Sequence, residues 1–459
     1  MTLHSRPDLK PPIVSVVTRA PQVAPGFLFV APKKGAMQKG TEIVRDDGQP
    51  VWFHPVPAQA TDFRVQRYRG KPVLTWWQGP VAAPVRGSGA GHGVIVDSAY
   101  RPIARVDSGF GRNTADLHEF LLTPRGTALL TVYRIVPRDL SSVGGPKRGR
   151  VVDGIVQEVD VATGRVLFTW HSLGHVAPAE SYAKAPGSDD GATTPYDYFH
   201  LNSIEEEPNG DLLLSARNTH AVYEIDRHTG AVLWRLGGKR SSFRMGRGTS
   251  FAWQHDARRR ADGTITLFDD GAAPAVEKHS RALRIRLDAS ANAATLVRAY
   301  VSPGGVLAGS QGNTQVLPDG NVLVGWGAVP EVTEFGDDGR VTFDATLPAG
   351  DDSYRAYRFR WTGRPAGRPA IAVDAAGGAA ATVYASWNGD TRAARWQVLG
   401  GLSGEHLVPV GAPTARTGFE TGLHVRTTAP LLAVEALAPD GRVLGRSRGA
   451  PRRGRGRLT

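Results

Sequence analysis

Three histidines and one arginine have side chains from which a reactive site could be built: His118, His200, His255 and Arg217. An imidazole changes protonation near neutral pH and can act as nucleophile, acid or base. A guanidinium stays charged at any working pH and offers a planar fork of donors. Brought together, these groups would bind one tetrahedral anion and could attack it.

The spacing of these residues from glycine turns predicts that they meet. His118 lies eight residues before Gly126, His200 ten before Gly210, and His255 eight before Gly263, while Arg217 lies seven after Gly210. In a β-propeller blade the innermost strand descends the central channel and the next strand returns. We therefore expect all four side chains at one mouth of the channel. For any single histidine, the alternative is a core or turn residue satisfied by backbone groups.

Histidine is not a general requirement of the repeat. The corresponding positions of the second and sixth units carry Asp62 and the pair Gly312-Asn313. A residue needed only for folding would recur in every unit. The three histidines are thus better explained by chemistry than by the repeat itself.

The elements that would position the site are short strands joined by glycine turns. Hairpin signatures of a turn followed by an apolar or β-branched run recur along the chain. They include DDGQPVWF at 46–53, ATGRVLFTW at 162–170, PNGDLLLSAR at 208–217, ADGTITLFDD at 261–270 and PDGNVLVGWG at 318–327. The hairpins form about six units, which start near residues 27, 63, 118, 200, 255 and 313.

Repeated antiparallel sheets of this size bury their faces by closing radially. The sequence therefore predicts an all-β fold, a six-bladed β-propeller followed by a small C-terminal β-sandwich. The run SYRAYRFRW at 353–361 is expected to pair with the N-terminal blade and close the ring. A pair of β-sandwiches is the alternative arrangement, since it would show the same short strands and turns.

The predicted domain organisation has four parts. They are an N-terminal extension at 1–24, the propeller at 25–365, a β-sandwich-like appendage at 370–447 and a basic disordered tail at 448–459. The stretch TGRPAGRP after Trp361 is typical of a linker, and the appendage contains no cluster of chemically useful residues.

The mouth of the predicted channel should carry substrate-binding residues. Connections at 107–117, 171–199 and 237–253 would surround it, and the middle one is long enough to suggest a functional loop. Residues predicted to bind substrate at this rim are Trp76, Trp77, Tyr196, Tyr198, Trp253 and Asn313. Such a mouth would be aromatic-walled and basic-floored, which suits an aryl anion, although each aromatic could instead pack between blades.

The amino-acid composition excludes several classes of site and favours one class of ligand. The chain has no cysteine, so disulfides, thiolate metal sites and cysteine nucleophiles are excluded. We find no signal peptide and no apolar run long enough for a membrane span. The net charge of +12 suggests small anions as ligands, and nucleic-acid binding is disfavoured because the tail Arg452, Arg453, Arg455 and Arg457 lacks interspersed aromatics.

Several motifs make the chain similar to a known family. They include TWWQG, ADLHEFLLT, VQEVDVATGRVLFTW, FHLNSI, LLLSARN, WQHDAR and SYRAYRFRW. Over residues 25–365 the chain resembles the bacterial arylsulfotransferases, and more closely their actinobacterial and fungal branch than the enterobacterial periplasmic enzyme. Family members of the periplasmic type have a distinct N-terminal domain, an export signal and a disulfide that are not visible here, so localisation and oligomeric state stay open.

The resemblance implies an activity and residue roles. It implies transfer of a sulfuryl group from a phenolic sulfate ester to a phenol, through a sulfohistidine and without the nucleotide sulfate donor. By resemblance His255 is the nucleophile, His200 and Arg217 hold the sulfate, and His118 is the remaining active-site histidine. The partners implied are a small-molecule aryl sulfate and a phenolic acceptor, with no cofactor and no metal.

Two other functions remain open at this stage. Three imidazoles with an open position could form the zinc site of a metal-dependent hydrolase, although an adjacent arginine would repel Zn²⁺. The propeller could also be a non-catalytic binding module, as propellers often are.

Overall fold

The protein is built from short antiparallel strands, which confirms the all-β prediction. The computed structural model describes residues 2–35, 38–82, 85–187, 194–375 and 378–452. Its helical elements, within these ranges, are four 3₁₀ turns: η1 (Ser141–Val143), η2 (Ser172–Gly174), η3 (Pro178–Glu180) and η4 (Arg217–Thr219). In the same part of the chain, no helix is both long enough and apolar enough to span a membrane.

Strands of the first half follow one another at short intervals. They are β1 (Ser15–Arg19), β2 (Phe27–Val30), β3 (Gly40–Val44), β4 (Pro50–Pro55), β5 (Gln59–Tyr68), β6 (Lys71–Gly79), β7 (Val81–Ala82), β8 (Ser88–Gly89), β9 (His92–Val96), β10 (Pro102–Val106), β11 (Phe120–Leu122), β12 (Thr127–Arg138), β13 (Gly149–Asp160), β14 (Val166–His171), β15 (Leu201–Glu206), β16 (Leu212–Ala216), β17 (Ala221–Ile225) and β18 (Val232–Gly237).

The second half of the chain also consists of short strands. Its strands are β19 (Arg244–Met245), β20 (His255–Arg259), β21 (Ile265–Asp269), β22 (Arg281–Asp288), β23 (Ala293–Tyr300), β24 (Asn313–Val316), β25 (Val322–Gly325), β26 (Glu331–Phe335), β27 (Val341–Thr346), β28 (Tyr357–Phe359), β29 (Ala370–Asp374), β30 (Ala380–Ser386), β31 (Arg395–Gly401), β32 (Leu407–Ala415), β33 (Glu420–Arg426), β34 (Leu431–Leu437), β35 (Val443–Arg446) and β36 (Ala450–Pro451).

Six sheets of four or five strands make up the larger part of the molecule. In strand order they are sheet one (β28-β2-β3-β4), sheet two (β10-β9-β6-β5), sheet three (β11-β12-β13-β14), sheet four (β15-β16-β17-β18), sheet five (β19-β23-β22-β21-β20) and sheet six (β1-β27-β26-β25-β24). Glycine turns join their strands. Gly210, for example, closes a hairpin with a positive φ of 91°, a conformation that residues with a Cβ rarely adopt.

Two sheets take a strand from a distant part of the chain. In sheet one, Tyr357 of β28 pairs with Phe29 of β2, which confirms the expected pairing of the SYRAYRFRW run with the N-terminal sheet. In sheet six, β1 pairs with β27, so the predicted N-terminal extension supplies a strand. These pairings bring the beginning of the chain against residues 341–359.

Hydrophobic cores join each sheet to the next. One core, for example, combines Phe29 of sheet one with Leu74 of sheet two, and another combines Phe268 of sheet five with Val324 of sheet six. A further core packs Phe343 of sheet six against residues of sheet one. Burial of apolar area between successive sheets is the main stabilising force of such an arrangement.

The C-terminal residues form two further sheets around a core of their own. The sheet order is β29-β30-β33 in one and β32-β31-β34-β35 in the other, with Val383 and Trp396 in the shared core. β36 pairs with β34, so part of the predicted tail is ordered as a strand. The predicted tail from residue 453 onward lies outside the described residues.

Candidate active site

Each of the three predicted histidines is held by a carboxylate at Nδ1. The pairs are His118 with Asp116 at 2.5 Å, His200 with Asp197 at 2.5 Å, and His255 with Asp270 at 2.7 Å. A carboxylate that accepts from Nδ1–H fixes the orientation of the ring and leaves Nε2 for chemistry. The pattern therefore presents three Nε2 atoms as the reactive positions.

Local structure explains how the rings reach one place. His118 lies two residues before β11 of sheet three, His200 lies directly before β15 of sheet four, and His255 is the first residue of β20 in sheet five. His200 has a φ of 56°, a left-handed conformation uncommon for a residue with a Cβ. Strained backbone of this kind is typical of functional positions.

The imidazoles pack around two tyrosines. The ring centroids of His118 and His200 are 4.8 Å apart, and Tyr354 meets His118 and His255 edge-on at 5.7 and 6.4 Å. Tyr133 stacks on His118 at 5.5 Å. Burial raises the pKa of both tyrosines well above the ordinary value, so they are neutral spacers between the histidines.

Arg217 carries a positive charge that is free for a ligand. Its guanidinium lies 4.7 Å from the ring centroid of Trp253 and donates to the side-chain oxygen of Asn218 and the backbone oxygen of Gly309. Across the described ranges, Arg217 forms no ion pair with a carboxylate. Cation–π stacking and carbonyl contacts hold the group in place without neutralising it.

The electrostatics of the site favour a neutral His255. Burial, and then the charges of Arg217, His118 and His200, lower the pKa of His255 well below its ordinary 6.5. The backbone N–H of Gln311 points at Nε2 of His255, at 3.3 Å, so Nε2 carries the lone pair. The proton therefore sits on Nδ1 and points at Asp270, a buried carboxyl whose pKa desolvation raises well above its ordinary value.

The other two histidines differ from His255 in their surroundings. Burial lowers the pKa of His200, although the charge of Asp197 opposes this shift. Burial would raise the pKa of Asp116, but the charge and hydrogen bond of His118 outweigh it and lower that pKa. Asp116 therefore stays ionised and accepts the Nδ1–H of His118.

A cavity of about 720 Å³ opens next to these groups. Its lining includes Arg86, Lys184, Tyr196, Asp197, His200, Arg217 and Ser310. His118 and His255 lie deeper, with 2% and 1% of their surface exposed. A volume of this size is typical of small-molecule sites.

The structure places several residues of the predicted aromatic rim in the cores between sheets. Trp76 lies in the core between sheets one and two, and Trp77 in the core between sheets two and three. Adjacent residues of a strand point to opposite faces, so each indole packs against a different neighbouring sheet. Tyr198 is also fully buried, in the core that joins sheets three and four.

The remaining predicted rim residues have different positions. Tyr196 lines the cavity, but its hydroxyl donates to the backbone oxygen of Ala183. Trp253 lies under Arg217, and its indole N–H donates to Pro274. Asn313 is wholly buried and exchanges two hydrogen bonds with the backbone of Ala356, so its role in the structure is to join β24 to the segment before β28.

A buried ionic network lies beneath the histidines. Arg355, fully closed to solvent, pairs with Asp62 at 2.7 Å and with Glu119 at 3.3 Å. Arg258 pairs with Glu119 and Asp256 at 2.6 and 2.7 Å. Asp62, Glu119 and Asp256 come from sheet two, the start of sheet three and sheet five, so the network ties these sheets together.

Five polar residues of the site were not predicted. They are Asp116, Asp197, Asp270, Arg86 and Lys184. An aspartate two or three residues before His118 and His200 is a signal visible in the sequence, whereas Asp270, the partner of His255, directly follows the next strand, β21. No group of three or more His, Cys, Asp or Glu in the described ranges has the arrangement of a metal site.

A sequence model of the family described as Arylsulfotransferase (ASST) matches residues 64–347, which is more than half of the chain. The chain belongs to the arylsulfotransferase family. The resemblance seen in the sequence is thereby confirmed, and the matched segment of this arylsulfotransferase family member contains all three histidines and Arg217. Membership indicates an aryl sulfotransferase activity with small-molecule aryl sulfate and phenol substrates.

Other comparisons give weaker likenesses. No curated protein matches the chain. A protein of unknown function from Bacteroides caccae is similar at 13% identity and a TM-score of 0.42, covering 72% of this chain and 98% of that one. Virginiamycin B lyase from Staphylococcus aureus is similar at 9% identity and a TM-score of 0.36, covering 82% and 96%.

Proposed function

We propose that this member of the arylsulfotransferase family transfers a sulfuryl group from a phenolic sulfate ester to a phenol through a sulfohistidine at His255. The observation that carries the proposal is the convergence of three carboxylate-bound imidazoles, of which His200 lines a cavity together with Arg217, a guanidinium with no carboxylate partner among the described residues. The donor needs no nucleotide, because an aryl sulfate already contains a leaving phenolate.

The fold proposed for this function is the six-bladed propeller over residues 25–365, with sheets one to six as blades and β1 added to sheet six from the N-terminal extension. The cyclic succession of inter-sheet cores and the pairing of β28 with β2 support it. A β-sandwich-like appendage at 370–447 would follow. In such a ring the starts of β11, β15 and β20 face one mouth, where the histidines gather.

In the first step, Nε2 of His255 attacks sulfur as the bond from sulfur to the aryl oxygen breaks. Charge spreads over the three sulfuryl oxygens and the leaving phenolate, by analogy with loose phosphoryl transfer. Arg217 and Nε2–H of His200 would stabilise the sulfuryl oxygens. A protonated His118, paired with Asp116, would give its Nε2 proton to the phenolate.

In the second step, the acceptor phenol occupies the place of the departed phenol. Its oxygen attacks sulfur, the bond between sulfur and Nε2 of His255 breaks, and the phenolic proton passes to His118. His255 is again neutral and His118 again charged, so each cycle restores the starting state. Two half-reactions at one nucleophile predict ping-pong kinetics.

The direct test combines a chromogenic aryl sulfate with a phenol acceptor. The parent protein should release the chromogenic phenol in an acceptor-dependent way, and initial rates in both substrates should give parallel lines. Incubation with donor alone, followed by mass spectrometry of the peptide containing residue 255, should detect one added sulfuryl group.

His255→Ala should abolish both acceptor-dependent release and peptide labelling. His171→Ala is the matched control, because His171 also pairs through Nδ1 with an aspartate, Asp153, at 2.7 Å but lies outside the cavity lining. Converging lines, or labelling that persists in His255→Ala, would count against the sulfohistidine. Absence of release with every acceptor tried would favour a non-catalytic binding protein.

A further inference from the structure

Two cations on the cavity wall are not needed by the reaction just described. Arg86 lies in the connection between β7 and β8, and Lys184 follows η3. Within the chain segments that the structure describes, neither side chain forms a hydrogen bond or an ion pair. Both are exposed, so they are available to a ligand that fills the cavity.

Arg86 is placed close to the reactive groups. A Cβ added at the neighbouring Gly87 would lie 3.6 Å from Cε1 of His200, so this segment packs directly against the imidazole. The charge of Arg86 also acts on Arg217. A ligand held by Arg217 and His200 would therefore extend past Arg86.

The charge of the wall is one-sided. Arg86, Lys184 and Arg217 contribute three positive charges to the described lining, against the single carboxylate of Asp197, which is hydrogen-bonded to His200 at 2.5 Å. Like charges around one concave surface repel one another, and an anionic ligand relieves that repulsion. One sulfate ester would satisfy Arg217 and leave the other two cations unmatched.

Aromatic stacking contributes little to recognition in this cavity. Among its described lining residues, Tyr196 is the one aromatic, and its hydroxyl is bound inside the protein. Short apolar contacts come from Ala183, Pro186 and Ala273. Such a wall gives an aryl ring limited contact area, so charge is left as the main source of selectivity.

We propose that the preferred substrates are phenols and aryl sulfates that carry a second anionic group, such as a carboxylate, and that Arg86 and Lys184 bind this group. The inference rests on the proposed function, because it concerns the same cavity. The guanidinium can hold a carboxylate through two parallel hydrogen bonds, and the ammonium adds a point charge beside it.

The test uses two acceptors that differ only in charge, 4-hydroxyphenylacetate and 4-hydroxyphenylacetamide, with one chromogenic donor. The ratio of their kcat/KM values should favour the anion about tenfold or more at low ionic strength. This preference should shrink as salt is added. Arg86→Gln and Lys184→Gln should each bring the ratio closer to one.

Arg340→Gln is the matched control, because Arg340 is an exposed arginine outside the cavity lining. It should leave the ratio unchanged. Equal kcat/KM for the two acceptors, or a preference that survives both cavity variants, would overturn the inference while leaving sulfuryl transfer intact.

Binding gives a readout that does not depend on turnover. Calorimetry of the two phenols should show tighter binding of the anion to the parent protein and a loss of that difference in Arg86→Gln. If no acceptor is sulfated, the proposed function fails, yet the binding comparison still decides the role of Arg86 and Lys184. Equal affinities of the two phenols in that experiment would overturn the inference that Arg86 and Lys184 bind an anionic group.

Discussion

Oδ2 of Asp270 lies 2.7 Å from Nδ1 of His255, and both side chains are closed to solvent. The backbone N–H of Gln311 approaches the opposite ring nitrogen. Together these contacts select the tautomer with its proton on Nδ1 and its lone pair on Nε2. The carboxylate thus decides which nitrogen can act as nucleophile.

Asp270→Asn should lower kcat by about 10²–10⁴, the range expected when a carboxylate that orients a catalytic histidine is replaced by an amide. The reason is that the amide can donate to Nδ1 and move the proton to Nε2. Steady-state kinetics with a chromogenic donor measure the loss. Asp153→Asn, which alters the similar pair with His171, should keep parental kcat. Unchanged turnover in Asp270→Asn would contradict the assigned tautomer.

The acid limb of the pH profile of kcat/KM should lie below pH 6.5. His255 reacts only when neutral, and burial with neighbouring positive charge lowers its pKa well below 6.5. Protonation of the nucleophile therefore begins only below that pH, and it should cause no loss of kcat/KM between pH 8 and 6.5. The profile should be recorded with donor below saturation. An acid limb centred at pH 6.5 or above that disappears in Asp270→Asn would show that the pKa of His255 is not lowered.

Trp253→Leu should raise KM for the sulfate donor more than it lowers kcat. The indole lies 4.7 Å from the guanidinium of Arg217. Removal of the indole should let the guanidinium move, because no carboxylate among the described residues forms an ion pair with it. Cation–π contacts are worth about 0.5–2 kcal/mol, so a rise of roughly threefold to thirtyfold in KM is expected. Trp234→Leu is the control, because Trp234 stacks with Arg259 away from the cavity. A donor KM equal in both variants would contradict this role.

Arg355→Met should destabilise the fold by about 3–5 kcal/mol. Its replacement removes the guanidinium that lies 2.7 Å from Asp62 and 3.3 Å from Glu119, and it leaves these two buried carboxylates with Arg64 and Arg258 as their remaining cations. Chemical denaturation should show a lower midpoint than that of the parent. Arg340→Met, at an exposed position, should unfold like the parent. Equal midpoints for Arg355→Met and parent would mean that the network adds no stability.

Turn and strand patterns were sufficient to predict the all-β class and the convergence of the histidines. A glycine turn sets the length of a hairpin, so residues at matched distances from such turns reach the same level. Side-chain direction was harder to predict. Trp76 and Trp77 are neighbours in one strand, and only the packing of sheets on both faces shows that neither reaches the cavity.

The charged residues of the wall were missed for a related reason. Arg86 and Lys184 lie in connections, where no periodicity relates sequence position to direction. Asp270 directly follows β21, the strand after the one that begins at His255, so its contact depends on tertiary structure. By contrast, Asp116 and Asp197 lie close enough to their histidines that a short-range pattern could have suggested them.

The pairing of β28 with β2 has a consequence for biosynthesis. A ribosome releases Phe27–Val30 early, whereas Tyr357–Phe359 emerges only after all the intervening sheets. Until then the N-terminal sheet exposes a bare edge that could pair with other nascent chains. Contacts of such large sequence separation form slowly. The pairing of β28 thus completes the N-terminal sheet late in synthesis, and nascent chains truncated before β28 should depend most on chaperones.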